Sequence, residues 1–477
     1  MKKYDLIVIG GGAGGLTVAA GGASLGAKVA LIEKEKEPGG DCLHFGCIPS
    51  KALIEAAKEV HTAKNAAAEF GMSLSGASSL KVAKERVKAA INHIQGHDGA
   101  DRFREMGVDV YQGVGSFKDS HHVEITGQNE VIFGKRIVIA TGSRPFIPPI
   151  EGIEQVEVLT NETIFEIEEA PKRLLVIGAG PIGLELAQAM ARFGSEVFVV
   201  DQVYEIFGKE DEKIVPFVKK ALEKELDFRL GAQVLKVTVT EIKTKIVTIY
   251  VNEQEEEIEV DEILVAAGRK ANIEKLGLET IGVKVDKGHI VVSPTLQTSI
   301  GHIYAVGDVT GKFQFTHAAG MEGKIVVANA VFGLKKKVNY DHVPLVTFTD
   351  PEVFHLGLTE QEARKKLGDE AIIYEVTTDD VDRFVADRKL EGIAKVITDK
   401  KGKILGAHAV GPGAGDWMQE IVYAKQHDHK ISNLSNVIHP YPIRSAILQR
   451  IADQYWRNKL FGGWVPKVAK KYIQWLR

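Results

Sequence analysis

The chain has 477 residues, enough for about three domains of ordinary size. Its composition, 44% hydrophobic and 26% charged residues, is typical of a soluble globular protein, and its net charge of −4 gives no indication of a nucleic-acid partner. The N-terminal residues lead directly into a short apolar strand, and no apolar run reaches the ~18 residues of a membrane span, so we expect a cytoplasmic protein.

The first predicted element is a buried strand, Leu6–Ile9, followed by a G-x-G-x-x-G turn made by Gly10, Gly12 and Gly15. An Ala-rich helix and a second strand come next, and that strand ends on Glu33. This order is the fingerprint of a dinucleotide-binding unit. The glycines let the backbone approach a pyrophosphate at the helix N-terminus, and Glu33 would accept a hydrogen bond from a ribose hydroxyl.

The chain has two cysteines, Cys42 and Cys47, separated by four residues. This spacing allows a disulfide, and it differs from the C-x2-C spacing of zinc and thioredoxin-type sites. A helix is predicted to start after Cys47, with Pro49 in its first turn, and a helix start lowers the pKa of a nearby thiol. We interpret Cys47 as a stabilised thiolate and Cys42 as the thiol that exchanges with a substrate. Two unrelated buried cysteines are the alternative.

Residues 51–70 and 80–106 have nearly helical spacing of apolar residues, which predicts two antiparallel helices packed over the nucleotide. Residues 108–117 are predicted to begin a small β-region. A strand from 136 to 140 then ends in a turn at Thr141 and Gly142, where the backbone can pass close to a ligand.

A second fingerprint follows a strand at residues 173–177 and contains Gly178, Gly180 and Gly183. Two complete fingerprints imply two dinucleotides. The second one ends on Asp201, an acid that would bond a ribose 2′-hydroxyl and repel a 2′-phosphate, which favours NADH over NADPH. The alternative is that Asp201 only caps a turn.

The third part of the chain begins with a strand at residues 299–306 that ends on Gly307 and Asp308. Asp308 can bind a sugar or ribityl hydroxyl. A helix is predicted from about residue 314 to 332, and a basic segment at 335–339 indicates a domain boundary. Strands and helices then alternate as far as an irregular turn, His439-Pro440-Tyr441-Pro442, which precedes a last helix at 445–457.

In this order, the motifs resemble the flavin-dependent pyridine nucleotide–disulfide oxidoreductases, a class that includes dihydrolipoamide dehydrogenase, glutathione reductase and mercuric reductase. The resemblance covers residues 3–458. It implies an α/β fold with two Rossmann-like dinucleotide-binding domains, one for FAD and an inserted one for NAD, and a C-terminal α+β domain that forms a homodimer. The implied segments are an FAD-binding part at 1–150, an NAD-binding domain at 151–276, the return to the FAD domain at 277–337, a dimerisation domain at 338–460 and a basic amphipathic tail at 461–477.

The resemblance also implies roles for single residues. Cys47 would be the thiol next to the flavin and Cys42 the interchange thiol, while Lys51 and Glu185 would lie near the flavin and the nicotinamide. The FAD contacts implied are Gly10, Gly12, Gly15, Glu33, Thr141, Gly142 and Asp308, and the NAD contacts are Gly178, Gly180, Gly183 and Asp201, with Arg269 nearby. Further candidates for cofactor binding are Gly40, Gly268, Gly307, His317 and Ala318. No metal cofactor is expected.

The C-terminal segment departs from the pattern of the class, His-x-His-Pro-Thr-x-x-Glu. Tyr441 occupies the position of the catalytic His, and Ala446 that of the Glu which orients it. A phenol with a pKa of about 10 is a poor base at neutral pH, and losing such a base lowers a rate by about 10²–10⁴-fold. Fast dihydrolipoamide or glutathione chemistry is therefore not expected, unless His439 acts as the base.

Two further departures concern the acceptor. With a tyrosine in this segment, the chain resembles mercuric reductase, whose substrate is a soft metal ion. Mercuric reductases also carry a C-terminal cysteine pair that transfers the metal ion, and this chain has no such pair. Asp41 also replaces the usual Thr before the first cysteine, and an anion there should raise the pKa of Cys42.

The tail, which follows Gly462-Gly463, has apolar residues at 465, 468, 469, 472, 473 and 476, along one helix face, and lysines on the other. This pattern is typical of a helix on an anionic membrane surface, which would place the protein peripherally on the inner face of the membrane through residues 462–477. The alternative is a helix docked on the partner subunit or on its own domain.

The leading hypothesis is an enzyme that passes electrons from NADH through FAD to the Cys42–Cys47 pair and on to an undefined acceptor: a small disulfide, a soft metal ion or a membrane-linked acceptor. A dihydrolipoamide dehydrogenase is the nearest alternative. An FAD-binding redox sensor or membrane-docked partner with little turnover is the alternative from another class.

Overall fold

The computed structural model describes residues 1–241, 244–461 and 465–477. The fold divides into two compact units: unit 1 contains residues 1–200 and 232–340, and unit 2 contains residues 201–231 and 341–477. The finer division into five segments stays a prediction.

Strands in the described residues have the following bounds: β1 (Lys3–Ile9), β2 (Val29–Glu33), β3 (Asp109–Gln112), β4 (Gly115–Phe117), β5 (His122–Ile125), β6 (Glu130–Ile139), β7 (Ser143–Pro145), β8 (Arg173–Ile177), β9 (Glu196–Asp201), β10 (Asp227–Leu230), β11 (Gln233–Val239), β12 (Lys245–Val251), β13 (Gln254–Val260), β14 (Glu262–Val265), β15 (Arg269–Ala271), β16 (Val285–Asp286), β17 (His289–Ile290), β18 (Ile303–Ala305), β19 (Pro344–Thr347), β20 (Glu352–Gly357), β21 (Ile372–Thr377), β22 (Ile393–Thr398) and β23 (Ile404–Gly411).

Helices in the same residues are α1 (Ala13–Ser24), α2 (Gly40–His44), α3 (Cys47–Glu69), α4 (Leu80–Asp98), α5 (Ala100–Glu105), α6 (Pro181–Phe193), α7 (Val215–Leu222), α8 (Leu278–Ile281), α9 (Thr316–Phe332), α10 (Glu360–Leu367), α11 (Asp382–Ala386), α12 (Ala414–Trp417), α13 (Gln419–Gln426), α14 (Ile431–Leu434), α15 (Ala446–Phe461) and α16 (Val465–Leu476). Short 3₁₀ helices lie at Ile153–Gln155, Gly307–Thr310, Gly368–Glu370 and Thr378–Asp380.

The larger sheet of unit 1 has the strand order β3-β2-β1-β6-β5-β4, with β18 paired to β6 as well. Its central strands are parallel, with Leu6 of β1 opposite Val29 of β2 and Arg136 of β6. The residues of β2 are all buried, as a parallel strand covered on both faces requires. The β-region predicted to begin at 108–117 is present as β3, which joins this sheet parallel to β2, and β4, which pairs antiparallel with β5.

A second parallel group in unit 1 runs β9-β8-β14, with α6 between β8 and β9 in the chain. Its strands β8 and β14 are almost wholly buried. A separate antiparallel sheet, β11-β12-β13, packs its apolar residues into the same core. The two strand–turn–helix–strand units confirm the predicted Rossmann-like fold class.

Unit 2 contains a five-stranded antiparallel sheet, β19-β20-β23-β22-β21. Phe354 on β20 packs with Trp417 on α12 and Ile447 on α15 in its core. Two helices, α12 and α13, follow the sheet and meet at Met418.

The predicted tail helix is present as α16, and its apolar side chains Val468, Tyr472, Trp475 and Leu476 are exposed. Gly462, Gly463 and Trp464 lie outside the described residues. Across the described part of the chain, every helix is too short or too polar to cross a bilayer. Contact of the tail with a membrane stays a prediction.

Candidate active site

Both cysteines lie at helix ends in unit 1. Cys42 is in the short helix α2, and Cys47 is the first residue of the 23-residue helix α3. Both are free thiols with part of their surface accessible. The predicted helix start next to Cys47 is therefore present, and its unpaired N–H groups favour a negative charge on that sulfur.

The surroundings of Cys47 stabilise a thiolate. The thiol of Cys42 donates a hydrogen bond to the Cys47 sulfur, Thr316 contributes a second hydrogen bond, and the charge of Lys51 adds to both; together they lower the pKa of Cys47 to about 6. Thr316 Oγ1 lies 3.2 Å from Cys47 Sγ and is contributed by the first residue of α9. At neutral pH, Cys47 is therefore mainly a thiolate.

Cys42 has the opposite character. The hydrogen bond to Cys47, burial and, to the smallest extent, the negative charge of Asp41 raise the pKa of its thiol. The predicted effect of Asp41 thus has the expected sign, but the neighbouring sulfur and burial outweigh it. The pair consists of one thiolate and one protonated thiol.

Lys51 and Glu185 lie together, as the resemblance implied. Lys51 Nζ is 2.8 Å from Glu185 Oε2, and the Glu185 side chain is only 6% exposed. Lys51 is one turn after Cys47 on α3, and Glu185 is on α6 after the second glycine turn. Within unit 1, this ion pair connects helix α3 with helix α6, which follows the second glycine turn.

Arg269 links Asp41 to Asp308. Its guanidinium lies 3.2 Å from Asp41 Oδ1 and 3.6 Å from Asp308 Oδ2, and its Nε donates a 2.7 Å hydrogen bond to Ser143 Oγ. Ser143 in turn donates to Asp308 at 2.6 Å. Asn161 donates a further bond to Asp41 Oδ1 at 3.2 Å. The residue beside Cys42 is therefore fixed by a mostly buried arginine.

The first glycine turn has the shape that a pyrophosphate needs. A Cβ at Gly10 would lie 2.3 Å from the carbonyl oxygen of Ala140, and one at Gly15 would lie 1.9 Å from that of Gly10, so both positions exclude side chains. A Cβ at Gly12 would meet its nearest described neighbour, the Cα of Gly40, at 3.9 Å. The middle glycine thus faces open space, where a phosphate can approach.

The second turn repeats this arrangement. Gly178, with φ of +114°, would clash with Ala266, and Gly183 would clash with the carbonyl of Gly178. A Cβ at Gly180 would have no neighbour within 4 Å among the described residues. Both turns therefore fit a dinucleotide.

The three predicted strand-end acids differ in their surroundings. Glu33 accepts from the N–H of Gly11 at 2.6 Å and of Glu35 at 2.9 Å. Asp201 accepts from the N–H of Val203 at 3.2 Å, so the predicted turn-capping bond is present. Burial raises the pKa of the Asp308 carboxyl, and the hydrogen bond from Ser143 and the charge of Arg269 offset part of this rise.

The remaining predicted cofactor residues lie at turns or helix starts of unit 1. Thr141 Oγ1 donates to the carbonyl of Asn272 at 2.7 Å. Positive φ angles occur at Gly40, Gly142, Gly268 and Gly307, with values of +60°, +66°, +137° and +75°. His317 stacks on Phe315 at the start of α9, and Ala318 is fully buried behind it. Their roles in cofactor binding stay predictions.

The two acid–base candidates in the C-terminal segment of unit 2 differ in their exposure to solvent. His439 Nε2 lies 2.9 Å from Glu420 Oε2, and its ring is largely buried. Tyr441 is 81% exposed. The tyrosine is therefore open to solvent, whereas the histidine is not.

Comparison with known proteins agrees with this site. The family described as pyridine nucleotide-disulphide oxidoreductase matches residues 4–323, and the dimerisation domain of that name matches residues 343–451. The chain belongs to the pyridine nucleotide-disulphide oxidoreductases. Members of this family use FAD and a pyridine nucleotide, and the dimerisation domain supports a homodimer.

Relatives in the family carry several activities. A mercuric reductase from Staphylococcus aureus is 36% identical over 441 residues, covering 92% of this chain and 80% of the relative. A dihydrolipoyl dehydrogenase from Thermus scotoductus is 37% identical over 460 residues, covering 95% and 97%. The Cu(II) complex of the HOCl-induced flavoprotein disulfide reductase RclA from Escherichia coli has a TM-score of 0.84 and 27% identity, covering 95% of this chain and all of that one, 100%.

Proposed function

We propose that this oxidoreductase uses NADH to reduce a soft metal ion held by Cys42 and Cys47. The observation that carries the proposal is a thiolate beside a protonated thiol in a chain whose C-terminal segment presents a tyrosine where the class has a catalytic histidine. The general activity, that of a flavoprotein oxidoreductase, follows from the family, and the identity of the electron acceptor is what we propose.

The chain has residues that suit both dinucleotides. The turn of Gly10, Gly12 and Gly15, with Glu33 and Asp308, would hold FAD, and the turn of Gly178, Gly180 and Gly183, with Asp201, would hold the pyridine nucleotide. FAD, when bound, supplies the two-electron chemistry that connects a pyridine nucleotide with a pair of thiols.

The chemistry of the two sulfurs favours a metal. Thiolates are soft ligands that select soft metal ions. Cys47 is ready to bind as a thiolate, and a metal at Cys42 displaces its proton to solvent, so no base is needed to return a proton to sulfur. For mercuric ion the overall balance is NADH + Hg²⁺ giving NAD⁺ + Hg⁰ + H⁺. Disulfide exchange, by contrast, benefits from a base near the leaving sulfur by about 10²–10⁴-fold.

Relatives support the same choice. The Staphylococcus relative is named a mercuric reductase, and the RclA structure is a Cu(II) complex. This chain lacks any cysteine beyond the central pair. We therefore propose that the metal reaches Cys42 directly from small thiols in solution.

Asp201 supports NADH as the electron donor. Its carboxylate ends β9, the position at which an acid in this fold bonds the ribose 2′-hydroxyl and repels a 2′-phosphate. Asp201 also accepts a hydrogen bond from the N–H of Val203 at 3.2 Å.

One observation favours a second candidate, a dihydrolipoamide dehydrogenase. His439 and Glu420 form a histidine–carboxylate pair, the arrangement that orients a general base. In that case His439, and not residue 441, would handle the proton of the interchange thiol.

The deciding experiment measures NADH oxidation by the purified flavoprotein with thiol-buffered Hg²⁺, Cu²⁺, lipoamide and glutathione disulfide, and repeats it with NADPH. We expect turnover with a metal, a higher kcat/KM for NADH, and loss of turnover in Cys42→Ser. His439→Gln should leave the metal reaction unchanged.

Faster turnover with lipoamide than with either metal, abolished by His439→Gln, would instead establish the second candidate. No turnover with any acceptor, with a normal flavin spectrum, would favour the redox-sensor hypothesis.

A further inference from the structure

A row of polar side chains crosses the sheet of unit 2. Lys395 on β22 pairs in register with His408 on β23, which pairs with His355 on β20. Directly opposed residues of neighbouring strands share a face of the sheet. Lys395 and His408 are 1% and 0% exposed, so this polar row lies in the interior.

Both histidines present the same nitrogen to a backbone carbonyl. Nε2 of His355 lies 3.0 Å from the oxygen of Gly357, and Nε2 of His408 lies 2.9 Å from that of Leu358. A carbonyl oxygen only accepts hydrogen bonds, so both Nε2 atoms carry the proton. In the neutral rings the Nδ1 atoms are then the ones with a lone pair.

Nδ1 of His408 has no hydrogen-bond partner among the described residues, although it is fully buried. An unsatisfied buried polar atom is unfavourable and rare in proteins. Nδ1 of His355, by contrast, lies 2.8 Å from Oε2 of Glu210, so without an ion it donates a hydrogen bond to that carboxylate, and a bound cation would take the place of the Nδ1 proton. One donor atom from each of Glu210, His355 and His408 lies within 4.8 Å of the other two.

The charge nearby favours a cation. Lys395 is occupied by contacts with Asp211, at 2.7 Å, and Glu360. Glu375, which pairs with Lys213, adds another carboxylate 3.7 Å from Lys395. Arg364 also pairs with Glu360 at 2.6 Å, so Glu210 is one of four acidic side chains beside three basic ones, which leaves one negative charge in excess before the two histidines are counted.

We propose that Glu210, His355 and His408 bind a divalent transition-metal ion in unit 2, with Zn²⁺ as the ion that best suits the donors. Two imidazole nitrogens and one carboxylate oxygen form a donor set that zinc uses in proteins. The Nε2–H contacts with backbone carbonyls orient the rings in the way that metal-binding histidines are oriented. Water would complete the coordination.

An ion can reach this site from solvent, and its binding would connect two parts of unit 2. The side chains of Glu210 and His355 are 11% and 14% exposed, so an ion can enter past them to the buried His408. Glu210 belongs to the segment 201–231, whereas both histidines belong to the sheet. A bound ion would therefore fasten that segment to the sheet within unit 2.

The test uses the full-length flavoprotein with Cys42→Ser and Cys47→Ser, because the thiols would bind zinc themselves. This parent is freed of metal with a chelator, incubated with Zn²⁺, passed through a desalting column, and analysed for zinc and protein by mass spectrometry. We expect one zinc per chain, lost in His408→Gln and in Glu210→Gln. Zinc should also raise the thermal unfolding midpoint of the parent but not of these two variants.

The matched control is His93→Gln/His97→Gln, which removes two exposed histidines one turn apart on α4, a common place for adventitious metal. It should keep the zinc. Glu210→Gln keeps the result interpretable if His408→Gln fails to fold, since Glu210 is partly exposed and glutamine has its shape. A parent that retains no zinc, zinc retained by Glu210→Gln, or loss of zinc in the control would overturn the site.

Discussion

The two sulfurs of the candidate active site have different surroundings although only four residues lie between Cys42 and Cys47 in the chain. Around Cys47 lie a helix N-terminus, the hydroxyl of Thr316 and the ammonium of Lys51, all of which favour a negative charge. At Cys42, the hydrogen bond to Cys47 and burial oppose a negative charge, and the carboxylate of Asp41, which Arg269 holds, adds a smaller effect of the same sign. The difference shows how two cysteines in one short segment can differ in protonation, with one sulfur charged and the other protonated.

Replacing each sulfur should have the largest effect. Cys42→Ser and Cys47→Ser should both lower acceptor turnover by about 10³-fold or more, because a step through a covalent or metal-bound sulfur cannot proceed with a hydroxyl. The two should differ in the long-wavelength absorbance that a thiolate gives against oxidised flavin. Cys42→Ser should retain it, since serine can still donate to Cys47, and Cys47→Ser should lose it. Equal spectra in both variants would contradict the assignment.

Removing the charge of Lys51 should have the next largest effect. Lys51→Gln takes a positive charge away from Cys47 and leaves the buried carboxylate of Glu185 without its 2.8 Å partner. We expect a pKa of Cys47 above about 6 and a reduction of the enzyme by NADH that is about 10–100-fold slower in stopped flow, the range for a misplaced catalytic group. Lys58→Gln, further along α3, is the control and should leave both values unchanged.

Thr316 should have a more modest effect. The thiolate absorbance of the wild type should be complete above neutral pH and should disappear as the pH falls through about 6, because a lowered pKa favours the charged form above that value. Thr316→Val removes a hydrogen bond to a charged group, worth about 1.5–3 kcal/mol, which corresponds to a rise of about one to two pKa units. Thr316→Ser keeps the hydroxyl and should titrate like the wild type; an unchanged titration in Thr316→Val would show that the hydroxyl does not stabilise the thiolate.

Asp41 should have the smallest effect, because its charge is the least of the causes that raise the pKa of Cys42. Asp41→Thr, which restores the residue usual in the class, should lower that pKa slightly and make Cys42 react faster with iodoacetamide at pH 8, by less than about 10-fold, that is less than one pKa unit. The exposed Asp101→Asn is the control. A slower reaction in Asp41→Thr would reverse the sign that we assign to this charge.

Much of this site could be predicted from local sequence. The two glycine turns, the cysteine pair and the helix start at Cys47 each lie within a few residues of one another, and local steric rules determine them. Lys51 and Glu185 depend on the family resemblance, and the structure places them in contact.

Other parts depend on contacts between distant residues. Thr316 reaches Cys47 across 269 positions, and Arg269 contacts the distant Asp41. His355 and His408 meet only because β20 and β23 pair in one register. The place of β3 beside β2 likewise depends on a distant pairing, in which Tyr111 packs into the core of the parallel sheet. None of these pairings leaves a signal in the spacing of residues along the chain.

The backbone contact between Gly40 and Gly12 limits how this protein can evolve. A Cβ at Gly40 would lie 2.7 Å from the Cα of Gly12, so no side chain separates the cysteine loop from the phosphate-binding turn. A side chain at Gly40 would therefore require the turn at Gly12 to shift as well. Positions outside this contact can change more freely, and the departures of this chain from the pattern of its class, at Asp41, Tyr441 and Ala446, are among them.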